Sequence, residues 1–273
     1  MYEMIVTDDF DLDLIAESGQ CFRWKKLDEN IYRIPYRSKC LDIYYAGDGR
    51  YELSCDDDEF DSIWRDYFDL ETCYADIRTR INKADDPFLF GACEYGRGIR
   101  ILRQDPWETL ISFIISQNRN IPAIKKSIEL LCEAAGKTGR SADGNSYYVF
   151  PAPEDILSLS ENDLSECRLG YRCRYVHEAA KSVAQGDIDL YGLINSPGVE
   201  TINSLTSICG VGAKVANCVS LFGLHHIDAF PIDVWIKRIL ENEYPDGYPM
   251  EKYSPYNGVY QQYMFYYYRD AHE

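Results

Sequence analysis

The sequence predicts an α+β fold, with an N-terminal antiparallel β-sheet domain packed on an all-helical domain. Three features carry that expectation. Four short β-prone segments crowd the stretch from Cys21 to Cys55, helical patterning takes over after Arg103, and a Cys209-Gly210-Val211-Gly212 turn separates two apolar helical runs. The division is placed at residues 1–104 and 105–273, with the paired helices around the turn at about 199–223.

The expected strands are Cys21 to Leu27, Ile31 to Tyr36, Leu41 to Ala46 and Tyr51 to Cys55, broken by Asp-Glu-Asn, Arg-Ser-Lys and Gly-Asp-Gly. Gly47-Asp48-Gly49 suits a hairpin because these residues tolerate the positive φ that such turns use. Amphipathic stretches at Glu59 to Tyr67 and Glu71 to Asn82, and a shorter one after Asp85, are expected to cover one face of the sheet. Asp105-Pro106-Trp107-Glu108 has the order of a helix start: a capping aspartate, a proline in the first turn and an acid after it. The apolar run Leu110 to Ile115 follows and ends at Ser116-Gln117-Asn118-Arg119-Asn120. Asp143 to Tyr148 reads as an exposed loop, Pro151 to Glu154 as another helix start, and Tyr256 to Arg269 as one aromatic-rich helix.

At 273 residues and 46% hydrophobic residues the chain can bury an ample core. No basic segment followed by an apolar run opens it, and no stretch approaches the roughly 18 uncharged apolar residues of a membrane span. A soluble cytoplasmic protein is expected, with no membrane partner. The ten cysteines are scattered without a Cys-x-x-Cys pair, which predicts reduced, mostly buried thiols. A formal net charge of −17 argues against nucleic acid, because phosphate binding draws on lysine and arginine. The acids concentrate at Asp8 to Asp13 and Asp56 to Asp61, however, which leaves Arg119, Lys125, Lys126, Arg172, Arg174, Lys214, Lys237 and Arg238 for a less acidic face.

The turn at Gly210 and Gly212 permits positive φ and a close approach to the main chain. Amides at the start of the following helix lack intrahelical acceptors, so Gly210, Gly212 and Val215 mark a backbone site for an anion such as a phosphate. Lys214 occupies the first turn of that helix, where the positive end of the dipole disfavours an ammonium and favours a neutral amine. A Gly-x-Gly turn also serves plain helix packing, and a lysine there also serves as a solvated surface charge. What sets this stretch apart is Pro231-Ile232-Asp233, an aspartate delivered nineteen positions after the lysine.

In this combination the stretch resembles the helix-hairpin-helix plus Gly/Pro-Asp signature of a DNA glycosylase superfamily. More narrowly it resembles the 8-oxoguanine DNA glycosylases, with Cys209 replacing the usual proline of the turn. The resemblance runs in order from about residue 12 to 270 and implies a set of roles. Lys214 would be the nucleophile and Asp233 its electrostatic partner. The base pocket would be formed by Gly19, whose carbonyl accepts the N7 proton that only the oxidised guanine carries, with Cys218, Pro231, Gln261 and Phe265. Asn118 would enter the gap left by the flipped base, Tyr171 would act as a wedge, and Arg172 would donate to the estranged cytosine. Ala123 stands where relatives carry a second cytosine-reading arginine, and Trp235 where they carry a histidine near a phosphate.

The partner implied is damaged double-stranded DNA, bound at the junction of the domains by a monomer, at the nucleoid if the source is bacterial. No metal or cofactor is expected. The iron-sulfur cluster of some superfamily members needs four cysteines after the aspartate, and the last one here is Cys218. A monovalent or divalent cation at the hairpin is compatible with the resemblance. The chemistry implied is base flipping, attack by Lys214 on the anomeric carbon, and a Schiff base from which β-elimination nicks the strand. The alternatives are a monofunctional alkylated-base glycosylase, which would use Asp233 without needing Lys214, and a non-catalytic helix-hairpin-helix DNA-binding protein.

Overall fold

A computed structural model describes residues 1–272. Five antiparallel strands, β1 (Tyr2–Ile5), β2 (Lys25–Asp28), β3 (Ile31–Tyr36), β4 (Lys39–Gly47) and β5 (Arg50–Leu53), form one sheet in the order β1-β5-β4-β3-β2. The central pairings, Tyr32 with Ile43 and Ile43 with Leu53, put one apolar row on the inner face, where Tyr32, Ile34, Leu41, Ile43, Tyr51 and Leu53 are buried. The hairpin at Gly47 to Gly49 is present, with all three residues at positive φ. A side chain at Gly49 would strike the Val6 carbonyl, 2.5 Å from its Cβ position.

Two differences from the sequence reading concern this sheet. The segment expected from Cys21 enters the ladder only at Lys25, since Cys21 to Trp24 are all buried and feed the core before the chain turns outward. The edge strand β1 was not anticipated; its four residues bury only Met4, too short a pattern to show alternation.

The covering helices also divide. Asp57 to Tyr67 runs as one helical stretch with a wider turn at Phe60–Trp64, and it inserts Phe60, Trp64 and Tyr67 beneath the sheet. Tyr74–Thr79 and Pro87–Tyr95 do not cover the sheet as expected. Tyr74, Ile77, Leu89, Ala92 and Cys93 belong to the helical core, and the second of these helices packs along the C-terminal helix Asn257–Asp270. Amphipathicity says that a face will be buried; it does not say against what.

The helical part follows the sequence closely. Asp105 accepts from the amides of Trp107 and Glu108, both at 3.0 Å, and starts Pro106–Ser116. Ile121–Ala135, Arg172–Ala184, Gly198–Thr206, Ala213–Phe222 and Val234–Glu243 come next, and Asn257–Asp270 is a single helix. The stretch expected as an exposed loop instead contributes Ser146–Tyr148 to a two-stranded ribbon with Thr138–Arg140. All ten cysteines are free thiols. Among the described residues no helix is long and apolar enough to cross a membrane.

Candidate active site

The hairpin consists of Gly198–Thr206 and Ala213–Phe222, with Gly210 at φ +83° between them. Gly210 is needed for space as well as conformation, because a Cβ there would lie 2.2 Å from the Tyr175 ring. Gly212 caps the second helix with no side-chain bond, and Ala216 is the first residue whose amide returns to the turn, at 2.9 Å from the Gly212 carbonyl. The amides of Ala213, Lys214 and Val215 therefore lack helical acceptors. Val215 buries its side chain, so only its backbone is available to a ligand.

Lys214 is half-buried, with its Nζ 5.1 Å from the centre of the Phe113 ring. Phe113 stacks on Phe222 and meets Phe22 edge-on, so the lysine lies over an apolar floor that continues into the segment after Gly19. Cys218, one turn further along, is buried; burial raises its pKa, the Lys214 charge and hydrogen bond oppose the rise, and Asp233 adds to it. Lys214, Cys218 and Asp233 thus form one electrostatic cluster.

Asp233 uses its carboxylate unequally. Oδ1 accepts from the amides of Trp235 (3.0 Å) and Ile236 (2.8 Å) as the cap of Val234–Glu243, while Oδ2 accepts no hydrogen bond among the described residues. Capping and chemistry can coexist on one side chain. Asn217, which sequence reasoning missed, fastens this loop to the lysine's helix. Its Oδ1 accepts from Phe230 N at 3.3 Å, and its Nδ2 donates to the Ala213 carbonyl at 2.9 Å. Pro231, next in the loop, is buried.

Gly19 has φ +80°, and its Cβ position lies 3.3 Å from Phe265 Cε1, so two residues far apart in sequence are in contact. The flanking Gln20 pins the turn through Arg100 O and Ser18 Oγ, both at 2.8 Å, and the Leu102 amide at 2.9 Å. Gln262 donates to the Ser18 carbonyl from the C-terminal helix. Gln261, one residue earlier, is buried with an Oε1 that has no hydrogen-bond partner among the described residues. An unmet acceptor of this kind costs about 1–3 kcal/mol unless a ligand satisfies it.

The third cluster joins Asn118, Tyr171 and Arg172 to the hairpin. Gln117 Nε2 donates to the Gly210 carbonyl at 3.0 Å, tying the loop to the turn. Asn118 is exposed and sits at φ +52°, a conformation asparagine tolerates better than most residues. Tyr171 is 56% exposed and turns an edge to Tyr175. Arg172 points inward: Nε donates to the Gln117 carbonyl at 2.9 Å, Nη2 to the same oxygen, and Nη1 to the Leu169 carbonyl at 3.3 Å. In this structure it holds the Asn118 loop. Trp235, in place of the expected histidine, packs between Tyr268 and Arg238.

The charge problem resolves locally. Residues 111–128, 167–177 and 203–227, which meet here, contain seven lysines and arginines and no aspartate or glutamate. The acidic excess lies elsewhere in the chain.

Residues 4–110 match the 8-oxoguanine DNA glycosylase N-terminal domain, and residues 111–245 match the HhH-GPD superfamily of base excision DNA repair proteins. The N-glycosylase/DNA lyase of Saccharomyces cerevisiae is 40% identical over 159 residues, covering 54% of this chain and 42% of that protein, so the chain spans less than half of that relative's length. The structure of MBOgg1 in complex with a low affinity DNA ligand superposes with a TM-score of 0.92 at 38% identity, covering 99% of this chain and 96% of that one. The Clostridium acetobutylicum 8-oxoguanine glycosylase/lyase, in complex with double-stranded DNA containing cytosine opposite 8-oxoG, gives 0.90 at 34% identity, covering 97% and 94%. Agreement of this length and identity, on a hairpin and loop with that geometry, makes the chain a member of the 8-oxoguanine DNA glycosylase family.

Proposed function

We propose that the protein is a bifunctional DNA glycosylase and lyase that excises 8-oxoguanine from duplex DNA, acting as a monomer without a cofactor. The observation that carries this is the cluster of Lys214, Cys218 and Asp233, with Asn217 binding the lysine's helix to the aspartate's loop. A duplex phosphate would sit on the open amides after Gly212, where the helix dipole favours an anion. Asn118 and Tyr171 would occupy the space vacated by the extruded nucleotide and offset the few kcal/mol that unstacking costs. The base would insert between Phe265 and Cys218, with Gly19 O accepting the N7 proton and Gln261 meeting the pairing edge. Normal guanine has no proton at N7 and would leave the Gly19 carbonyl unpaired. That difference is the basis of selection.

In the reaction, the neutral Lys214 amine attacks C1′ as the bond from C1′ to N9 breaks and its electron pair leaves with the purine, which takes up a proton. Asp233 Oδ2 faces the positive charge that develops on the sugar. Loss of the ammonium proton and opening of the ring bond from C1′ to O4′ give a Schiff base, and removal of a C2′ proton expels the 3′ phosphate. Borohydride reduces such an imine to a stable amine. Incubation with an 8-oxoguanine duplex and borohydride should yield a covalent protein-DNA adduct, and Lys214→Gln should yield none and release no base. Base release by that variant at the unmodified rate would remove the lysine from the mechanism.

A further inference from the structure

We propose that Asp228 is a positioning residue that ties the base-facing side of the C-terminal helix to the loop carrying Asp233, a role resting on the glycosylase function proposed above. Helix Asn257–Asp270 begins without a cap of its own, since Tyr256 at its N-cap position makes no side-chain bond to the first turn. The acceptor comes from 29 positions upstream. Asp228 Oδ1 accepts from the Asn257 amide at 3.3 Å and from Asn257 Nδ2 at 2.5 Å, and Oδ2 accepts from Ser254 Oγ at 3.0 Å. A carboxylate at that end satisfies a free amide and suits the positive end of the helix dipole.

Asp228 belongs to the loop between Ala213–Phe222 and Val234–Glu243 that ends at Asp233. The loop and the C-terminal helix also meet main chain to main chain. Gly258 N donates to the Ile227 carbonyl at 2.9 Å, and a Cβ on Gly258 would lie 2.5 Å from the Ala229 carbonyl oxygen and 2.8 Å from that of Ile227. Gly258, Gln261 and Phe265 are spaced three and four apart and share one face of the helix. The face that lies against the loop is therefore the one that carries the pocket residues. The loop is held at two points: Asn217 Oδ1 fastens it through Phe230 N to the helix of Lys214, and Asp228 fastens it to the helix of Gln261 and Phe265. Removing the Asp228 carboxylate keeps the first attachment, and with it Asp233 beside Lys214, while it loosens the second. What shifts is the bound base relative to the attacking amine. Misplacement by an ångström costs up to about a hundredfold in rate. That alignment matters while the glycosidic bond breaks and ceases to matter once the base has gone.

The test compares two reactions of the same protein: single-turnover release of 8-oxoguanine from a duplex, and nicking of a duplex at a preformed abasic site. Asp228→Ala should slow base release roughly tenfold and leave nicking within about twofold of wild type. Asp228→Asn should restore most of the release, because its amide oxygen still accepts from Asn257 and its amide nitrogen can donate to Ser254 Oγ. Ser254→Ala removes one of the three bonds and should slow release about threefold, again without an effect on nicking. Asp228 and Ser254 are both exposed, so truncating either leaves no cavity in the core. General loosening of the fold would slow both reactions alike. An equal loss in the two reactions, no rescue by asparagine, or base release at the wild-type rate in Asp228→Ala would overturn the assignment and leave the glycosylase reading standing. A wild-type protein that nicks abasic DNA but releases no 8-oxoguanine would overturn both.

Discussion

Two helix starts in this molecule are built in opposite ways. At Pro106–Ser116 the Asp105 carboxylate takes the free amides of Trp107 and Glu108, and its other oxygen accepts from Arg37 Nε and the Tyr191 hydroxyl, both at 2.9 Å. The first turn carries Glu108, an acid where the helix dipole favours one. At Ala213–Phe222 the cap is Gly212, with no side-chain acceptor, and the first turn carries Lys214, a base where the dipole disfavours its charged form. The first end is completed within the protein. The second leaves its first amides without an acceptor and sets a lysine beside them, the arrangement an anion-binding end needs and a structural one avoids.

The comparison can be broken by completing the open end. Gly212 has φ −92°, which any residue adopts, and nothing lies within 4 Å of its Cβ position. Gly212→Asp should stabilise the helix by about a few tenths of a kcal/mol while its carboxylate displaces the phosphate. Affinity for duplex DNA, read by fluorescence anisotropy, should fall at least tenfold as melting temperature rises; unchanged affinity would mean that these amides hold no phosphate. Loosening the same end from its partner loop is the next step down. Asn217→Ala removes the acceptor for Phe230 N, and base release should slow about tenfold with little change in DNA affinity. A rate equal to wild type would show that Asp233 is placed without it.

The closed end should respond in stability alone. Asp105→Ala is expected to cost about 1–2 kcal/mol in chemical denaturation through the lost cap, with DNA affinity retained. The smallest effect concerns Glu108. Burial pushes its carboxyl up to about 7 against the pull of Arg23, 3.7 Å away. A raised folded value means that the contribution is fully present below the ordinary carboxylate range and is lost as pH rises through about 7. Melting temperature should therefore decline between pH 5 and 8, and Glu108→Gln should flatten that decline. A variant with the wild-type slope would assign the pH dependence to other groups.

Much of the site could be read from the chain because its parts are local. The Asp105 cap, the Gly210 to Gly212 turn, the Asp233 cap and the single C-terminal helix each depend on residues within a few positions of one another. The misses share a different cause. Strand β1 needs β5 as its partner, the ribbon at Thr138–Arg140 needs Ser146–Tyr148, and the helices Tyr74–Thr79 and Pro87–Tyr95 show a buried face without naming the surface that buries it. Asn217 is a polar residue in an apolar helix and Gln117 one of a run of polar residues, weak signals whose meaning comes from Phe230 and Gly210. The resemblance implies that Arg172 faces DNA, whereas its guanidinium here bonds backbone carbonyls of the protein. Its Nε and Nη2 share the Gln117 carbonyl, 55 positions away, which no spacing rule connects to it.

The sequence by itself determined most of the elements, the Gly210 to Gly212 turn with its open helix start, and the positions of Lys214 and Asp233 at two helix starts, because backbone conformation and helix ends obey short-range rules. Only the tertiary structure decided which donors and acceptors remain unspent. The open Asp233 Oδ2 and the unmet Gln261 Oε1 are defined by what neighbouring segments leave unsatisfied, and that depends on contacts made across the whole chain.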